Sequence, residues 1–142
     1  MLENPEVSAY GTNLGFYVIV GGICGSNYGS IKRCATIATY EKNNIYGYIS
    51  SSSNEYYIDR LLIGGISGRS LENSVIEECY NSCKIVGDFY GKRQTETDGG
   101  GIVGNYSVSK SSISNCYNVG KIVVNHVNGD AIIGGLVGDN WR

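Results

Sequence analysis

Short apolar patches, each bounded by Gly, Asn or Ser, recur along the chain in a fixed order. One patch sits inside a glycine box, Gly-Gly-apolar-x-Gly, which occurs four times. The boxes start at Gly21, Gly64, Gly100 and Gly134, at spacings of 43, 36 and 34 residues. A second patch follows each of the first three boxes and reads Ile-x-x-Cys: Ile31 to Cys34, Ile76 to Cys79 and Ile113 to Cys116. A third comprises Ala35-Thr36-Ile37-Ala38, Lys84-Ile85-Val86-Gly87 and Lys121-Ile122-Val123-Val124. From the second-patch Ile to the third-patch Ile is 9 residues in the later two copies and 6 in the first, which reads as a shortened first repeat.

Patches this short, rich in β-branched and aromatic residues and punctuated by turn formers, predict strands. A helical repeat is the runner-up, but Gly inside its apolar segments would cost roughly 1 kcal/mol per residue. A fixed-order unit of about 20–50 residues marks a stacked array, in which each repeat buries its apolar side against its neighbours. Three short strands per repeat describe one coil of an all-β parallel β-helix, or β-solenoid, of three to four coils. Like residues then lie over one another, which predicts ladders. Ile23, Ile66, Ile102 and Leu136 form the first, Ile31, Ile76 and Ile113 the second, and Ile37, Ile85 and Ile122 the third. Ile76 and Cys79 are an odd number of residues apart, so for both to face inward the strand must bend between them.

The 142 residues suffice for one domain with a core. Charged residues make up 17%, below the usual figure of about 25%, while Gly (21) and Tyr (12) are abundant. A net charge of −2 leaves no electrostatic footprint for nucleic acid. No apolar run reaches the roughly 20 residues of a membrane span, so membrane insertion is not expected. The opening Met1-Leu2-Glu3-Asn4-Pro5-Glu6 lacks the features of a signal peptide. The chain also stops just after a box, without a closing cap. Both suggest a fragment of a longer secreted protein, with uncapped coils open to end-to-end self-association; a short intact gene product is the alternative.

The boxes Gly22-Ile23-Cys24-Gly25, Gly65-Ile66-Ser67-Gly68, Gly101-Ile102-Val103-Gly104 and Gly135-Leu136-Val137-Gly138, with Asn115-Cys116-Tyr117-Asn118-Val119-Gly120, resemble the GLUG-motif repeats. The resemblance spans about residues 18–140; Ser67 departs from its apolar position, and Cys34 lacks the following Tyr-Asn. GLUG repeats occur in bacterial surface and secreted proteins, including non-catalytic regions of IgA1-specific metallopeptidases. The resemblance implies a single GLUG-type domain over 1–142 at a bacterial cell surface or in secretion, with no catalytic residue and no cofactor.

Cys34, Cys79 and Cys116 share one repeat position and should stack as small apolar core residues, because three thiols in one column cannot all pair. Cys24 and Cys83 complete the set; no Cys-x-x-Cys occurs, and His126 is the only His, so no metal site is expected. A carbohydrate-active enzyme would need two carboxylates about 5–9.5 Å apart. Glu77 and Glu78 instead align with Lys32 and Arg33, and with Ser114 and Asn115. Asp59, Asp98 and Asp130 precede boxes at unequal offsets, which suits solvated turn residues better than an acidic or calcium-binding row.

Three stretches between the third patch and the next box read as inserted loops on one edge: Tyr40 to Arg60, Asp88 to Asp98 and Asn125 to Asp130. The first two carry Tyr40, Tyr46, Tyr48, Tyr56, Tyr57 and Tyr90 among Ser, Asn and Gly, with Phe89, Lys92 and Arg93. Tyr offers large contact area with a polar tip at small entropic cost. These six tyrosines are the candidate ligand-binding residues, for a host glycan or protein. Two further readings stand beside this adhesin-like one: the tyrosines fold back to cover the wall, or the module is a spacer with no ligand of its own.

Overall fold

The computed structural model describes residues 2–3, 7–11, 17–39, 44–51, 59–91, 95–107, 109–126 and 129–141. Among them the chain is all-β, with nineteen strands in five parallel sheets. Sheet I runs into the boxes: Tyr17–Gly21, Asp59–Gly64, Thr95–Gly100 and Asp130–Gly134. Sheet II leaves them: Cys24–Asn27, Ser67–Ser70, Val103–Ser107 and Val137–Trp141. Sheet III holds Ser30–Lys32, Val75–Glu77 and Ser112–Ser114. Sheet IV holds Leu2–Glu3, Ala35–Ile37, Tyr80–Asn81 and Tyr117–Asn118, and sheet V holds Val7–Gly11, Asn44–Ser51, Lys84–Gly91 and Ile122–His126. Within each sheet, neighbouring strands come from successive repeats.

A repeat thus contributes five strands where the apolar patches predict three, because the box is a corner. Gly22–Ile23 and Gly65–Ile66 are bends between sheets I and II, and the short Tyr-Asn strands are separate from the Ile-Val ones. A Cβ on the first glycine of each box would lie 1.8–2.0 Å from the carbonyl oxygen three residues on. On the second glycine of the first three boxes it would lie 2.0–2.3 Å from the carbonyl of the equivalent glycine in the next repeat. Only hydrogen fits at either place. On Gly68 it would meet the Val20 amide and carbonyl at 2.7 Å, and on Gly104 the Ile63 amide at 2.6 Å. Sheets I and II therefore touch backbone to backbone.

That contact divides the interior in two. Between sheets I and V lie Val18, Val20, Ile45, Ile49, Leu61, Ile63, Ile85 and Phe89; beyond sheet II lie Ile66, Ile76, Cys79, Ile102, Val103 and Tyr106. Each buried Ile or Leu contributes roughly 1.5–3 kcal/mol.

The first two predicted ladders are present. The Ile23 amide donates to the Ile66 carbonyl at 2.9 Å, Ile66 to Ile102 at 3.0 Å and Ile102 to Leu136 at 2.8 Å. Ile31, Ile76 and Ile113 pair in register. The bend after this strand falls where parity requires it: Arg33, Glu78 and Asn115 have φ of 53°, 54° and 52°, a left-handed step that turns Cys34, Cys79 and Cys116 back inward. Cys79 sits between its two counterparts, its amide 3.4 Å from Cys116 Sγ, and all five cysteines are free thiols.

The third ladder is different. Ile85 pairs with Ile45 and Ile122, not with Ile37; Ala35–Ile37 pairs with Tyr80–Asn81 instead. The first repeat is therefore longer here, not shorter, with 38–43 between sheets IV and V where the second repeat has 82–83. A buried polar column closes this corner. Thr36 Oγ1 donates to Asn81 Oδ1 at 2.6 Å, and Asn81 Nδ2 to Asn118 Oδ1 at 2.7 Å. Each Asn oxygen also accepts from the amide two residues on, at 3.1 Å for Cys83 and 3.0 Å for Gly120, so the side chain completes the turn.

The glycine geometry separates two otherwise equivalent positions. A Cβ at Gly101 would lie 2.0 Å from the Gly135 carbonyl, whereas at Gly135 nothing lies within 4 Å. Gly101→Ala is expected to cost about 3 kcal/mol or more and Gly135→Ala less than about 0.5 kcal/mol, as read by urea denaturation. Equal losses would contradict the close approach.

Candidate functional site

The alternation Ile45-Tyr46-Gly47-Tyr48-Ile49 decides where the tyrosines go. Ile45 and Ile49 are 0% and 2% exposed, so Tyr46 and Tyr48 take the outer face of sheet V. In the next strand Ile85 and Phe89 face the core, which puts Val86, Asp88 and Tyr90 on the other face; there Val86 is covered, at 8% exposure, and Tyr90 is open. Register places Tyr46, Val86 and Val123 in one column, Tyr48, Asp88 and Asn125 in the next, and Ser50 beside Tyr90.

Asp88 organises this face. Its Oδ2 accepts the Tyr46 hydroxyl at 2.8 Å, and its Oδ1 accepts Asn125 Nδ2 at 2.6 Å. The Tyr48 and Tyr90 rings stand 5.8 Å apart, tilted by 38°. Tyr90 is half exposed; Tyr46 and Tyr48 are partly so. The result is a fixed aromatic surface with a carboxylate and an amide between the rings. It offers stacking area and hydrogen bonds, and Asp88 has Tyr48 and Asn125, not a second carboxylate, one strand away.

Three of the six tyrosines read as loop residues thus lie on strands and come together: Tyr46, Tyr48 and Tyr90. Tyr40, Tyr56, Tyr57, Lys92 and Arg93 lie outside the described residues. Much of each supposed loop is strand, because its apolar alternation is paired with Tyr, Ser and Asn on the outer side. Asp88 and Asn125 join the site unforeseen; their register with Tyr48 was the available signal. A second ring pair also escaped the sequence reading. Tyr80 and Tyr117 stack at 4.4 Å on sheet IV, with Asn81 and Asn118 as their strand neighbours.

The remaining titratable groups separate into exposed and buried. Lys32 Nζ lies 2.7 Å from Glu77 Oε2 and holds that carboxyl below its ordinary value. Burial pushes the Cys79 and Cys83 thiols up. Among the described residues, no three His, Cys, Asp or Glu side chains group as metal ligands, and no helix is long and apolar enough to cross a membrane. No protein family, curated protein or solved structure matches the chain.

Asp98 overturns the reading of a solvated turn. Register puts Asp59 opposite Thr95, and Asp130 opposite Glu96, so the three aspartates form no row. Asp98 instead stands between Leu62 and Ile132, is 1% exposed, and accepts a hydrogen bond from Asn105 Nδ2 at 2.9 Å. Burial pushes its carboxyl from 3.8 to about 6, against the pull of the Asn105 bond; Asp139 adds to the rise and Arg60 opposes it. A raised carboxyl binds its proton more tightly when folded. The stability it confers is full below about pH 4, falls as pH climbs towards 6, and is absent above that. Two pH units bound this at about 3 kcal/mol. Asp98→Asn is expected to gain about 1–3 kcal/mol at pH 7.5 over its effect at pH 4, by urea denaturation at both. A variant that destabilises equally at the two pH values would refute the assignment.

Proposed function

We propose that this chain is a non-catalytic binding module whose contact surface is the outer face of sheet V. We read its five parallel sheets as the walls of a β-solenoid of GLUG type, belonging to a bacterial surface or secreted protein. In-register pairing from one repeat to the next supports the solenoid, and the four glycine boxes support the family.

The observation that carries the binding reading is the convergence of Tyr46, Tyr48 and Tyr90 around Asp88 and Asn125. A sugar ring has an apolar face that stacks on such aromatics and hydroxyls that bond the acid and amide between them; a protein loop is the other ligand this surface suits. The spacer reading draws on the same face, since Tyr46 and Asn125 already satisfy both Asp88 oxygens.

A glycan array, complemented by cross-linking to host proteins, separates binder from spacer. The wild-type chain is expected to retain a ligand, and the Tyr48→Ala, Tyr90→Ala double variant to lose affinity about tenfold or more, since truncating aromatic anchors costs 2 kcal/mol or so. Absence of any ligand, or retention undiminished in the folded double variant, would leave the spacer.

A further inference from the structure

A second surface lies where the start of sheet I meets the end of sheet II. Here a cleft of about 450 Å³ is lined by Tyr17, Arg60, Arg69, Glu72, Asn105 and Ser107. Its residues come from three repeats: Tyr17 pairs with Arg60, and Arg69 with Asn105. Arg60 is engaged by Glu96. Arg69 is different, because its Nε is buried and has no hydrogen-bond partner among the described residues.

A guanidinium presents Nε–H and a terminal N–H as a parallel fork that matches the two oxygens of a carboxylate. Leaving a buried N–H unmade is costly, so the unfilled Nε of a residue that lines the cleft marks where an acceptor belongs. Tyr17, 54% exposed, supplies a ring face beside it. Asn105 and Ser107 supply polar groups for hydroxyls; the Asn105 amide is already turned towards Asp98, which leaves its oxygen for a donor. A cation fork, an aromatic ring and hydroxyl partners in a volume typical of small-ligand sites describe the needs of a sugar acid. A polyglutamate peptide would use the fork but has no ring for Tyr17.

We propose that this cleft binds the carboxylate of a uronic acid residue, with Arg69 as anchor and Tyr17 as ring platform. The site is separate from the sheet V face and does not rest on it. Glu72, exposed at the rim, opposes the bound anion and limits affinity.

The test is calorimetric titration of the 142-residue chain with trigalacturonate and with its fully methyl-esterified form. The acid is expected to bind at least tenfold more tightly than the ester. Arg69→Gln should remove that preference, Arg69→Lys should keep the charge but lose most of the affinity, and Glu72→Gln should tighten binding two- to threefold. Far-ultraviolet circular dichroism confirms that each variant folds. Equal affinity for acid and ester, no binding of either, acid binding undiminished in Arg69→Gln, or hexaglutamate bound as tightly as the sugar acid would each overturn the proposal. None of these outcomes bears on the tyrosine face, which is probed by different substitutions and ligands.

Discussion

The closest contacts in this molecule are between backbone atoms at the glycine boxes, and the register of every sheet follows from them. At the first box position the chain folds back on its own carbonyl three residues later. At the second it abuts the matching glycine of the next repeat; at the third it lies against the preceding strand of sheet I. Apart from Gly25 and Gly135, side chains are excluded at all three, so the corner has one geometry, and a strand leaving it has one place to pair. Once Gly21 and Gly64 are aligned, Ile63 must lie over Val20, and Ile66 over Ile23. Pairing in the other sheets inherits that alignment, with insertions absorbed between strands. Parallel pairs are slightly weaker per residue than antiparallel ones, and stacked apolar columns offset the difference.

What the sequence revealed was whatever the stacking forces to repeat. The boxes, the Ile31–Ile76–Ile113 ladder, the inward cysteines and the bend before them were legible because each is the same residue type at the same step. The failures have the same source. Ile37 stands nearer to Cys34 than Ile45 does, and spacing alone does not say which insertion to skip. The pairing of Ile45 with Ile85 decides it, since both are fully buried. Tyr46 and Tyr48 read as loop residues when apolar runs alone mark a strand, yet a strand with one wet face needs only every second residue apolar. The Thr36–Asn81–Asn118 column was hidden by the change from Thr to Asn, although a hydroxyl and an amide can fill the same turn.

Inside the stack, one residue type per column is the economical arrangement, because each position sees nearly the same surroundings above and below. A column that changes type part-way is therefore under some other constraint. Asp98 breaks a run of Ile19, Leu62 and Ile132, at a cost in desolvation that its single Asn105 bond only partly offsets. Arg69 and Asn105 occupy the column that begins with Ser26, one strand layer away from that same aspartate. On sheet V, Asp88 likewise interrupts Tyr48 and Asn125 and bonds outward to Tyr46. These breaks fall on the outer face of sheet V and at the meeting of sheets I and II, away from the cysteine column and the Ile31 ladder. Repetition accounts for the scaffold. The departures from it supply the polar groups: Asp98 and Asn105 buried between sheets I and II, Arg69 on the cleft beside them, and Asp88 on the outer face of sheet V.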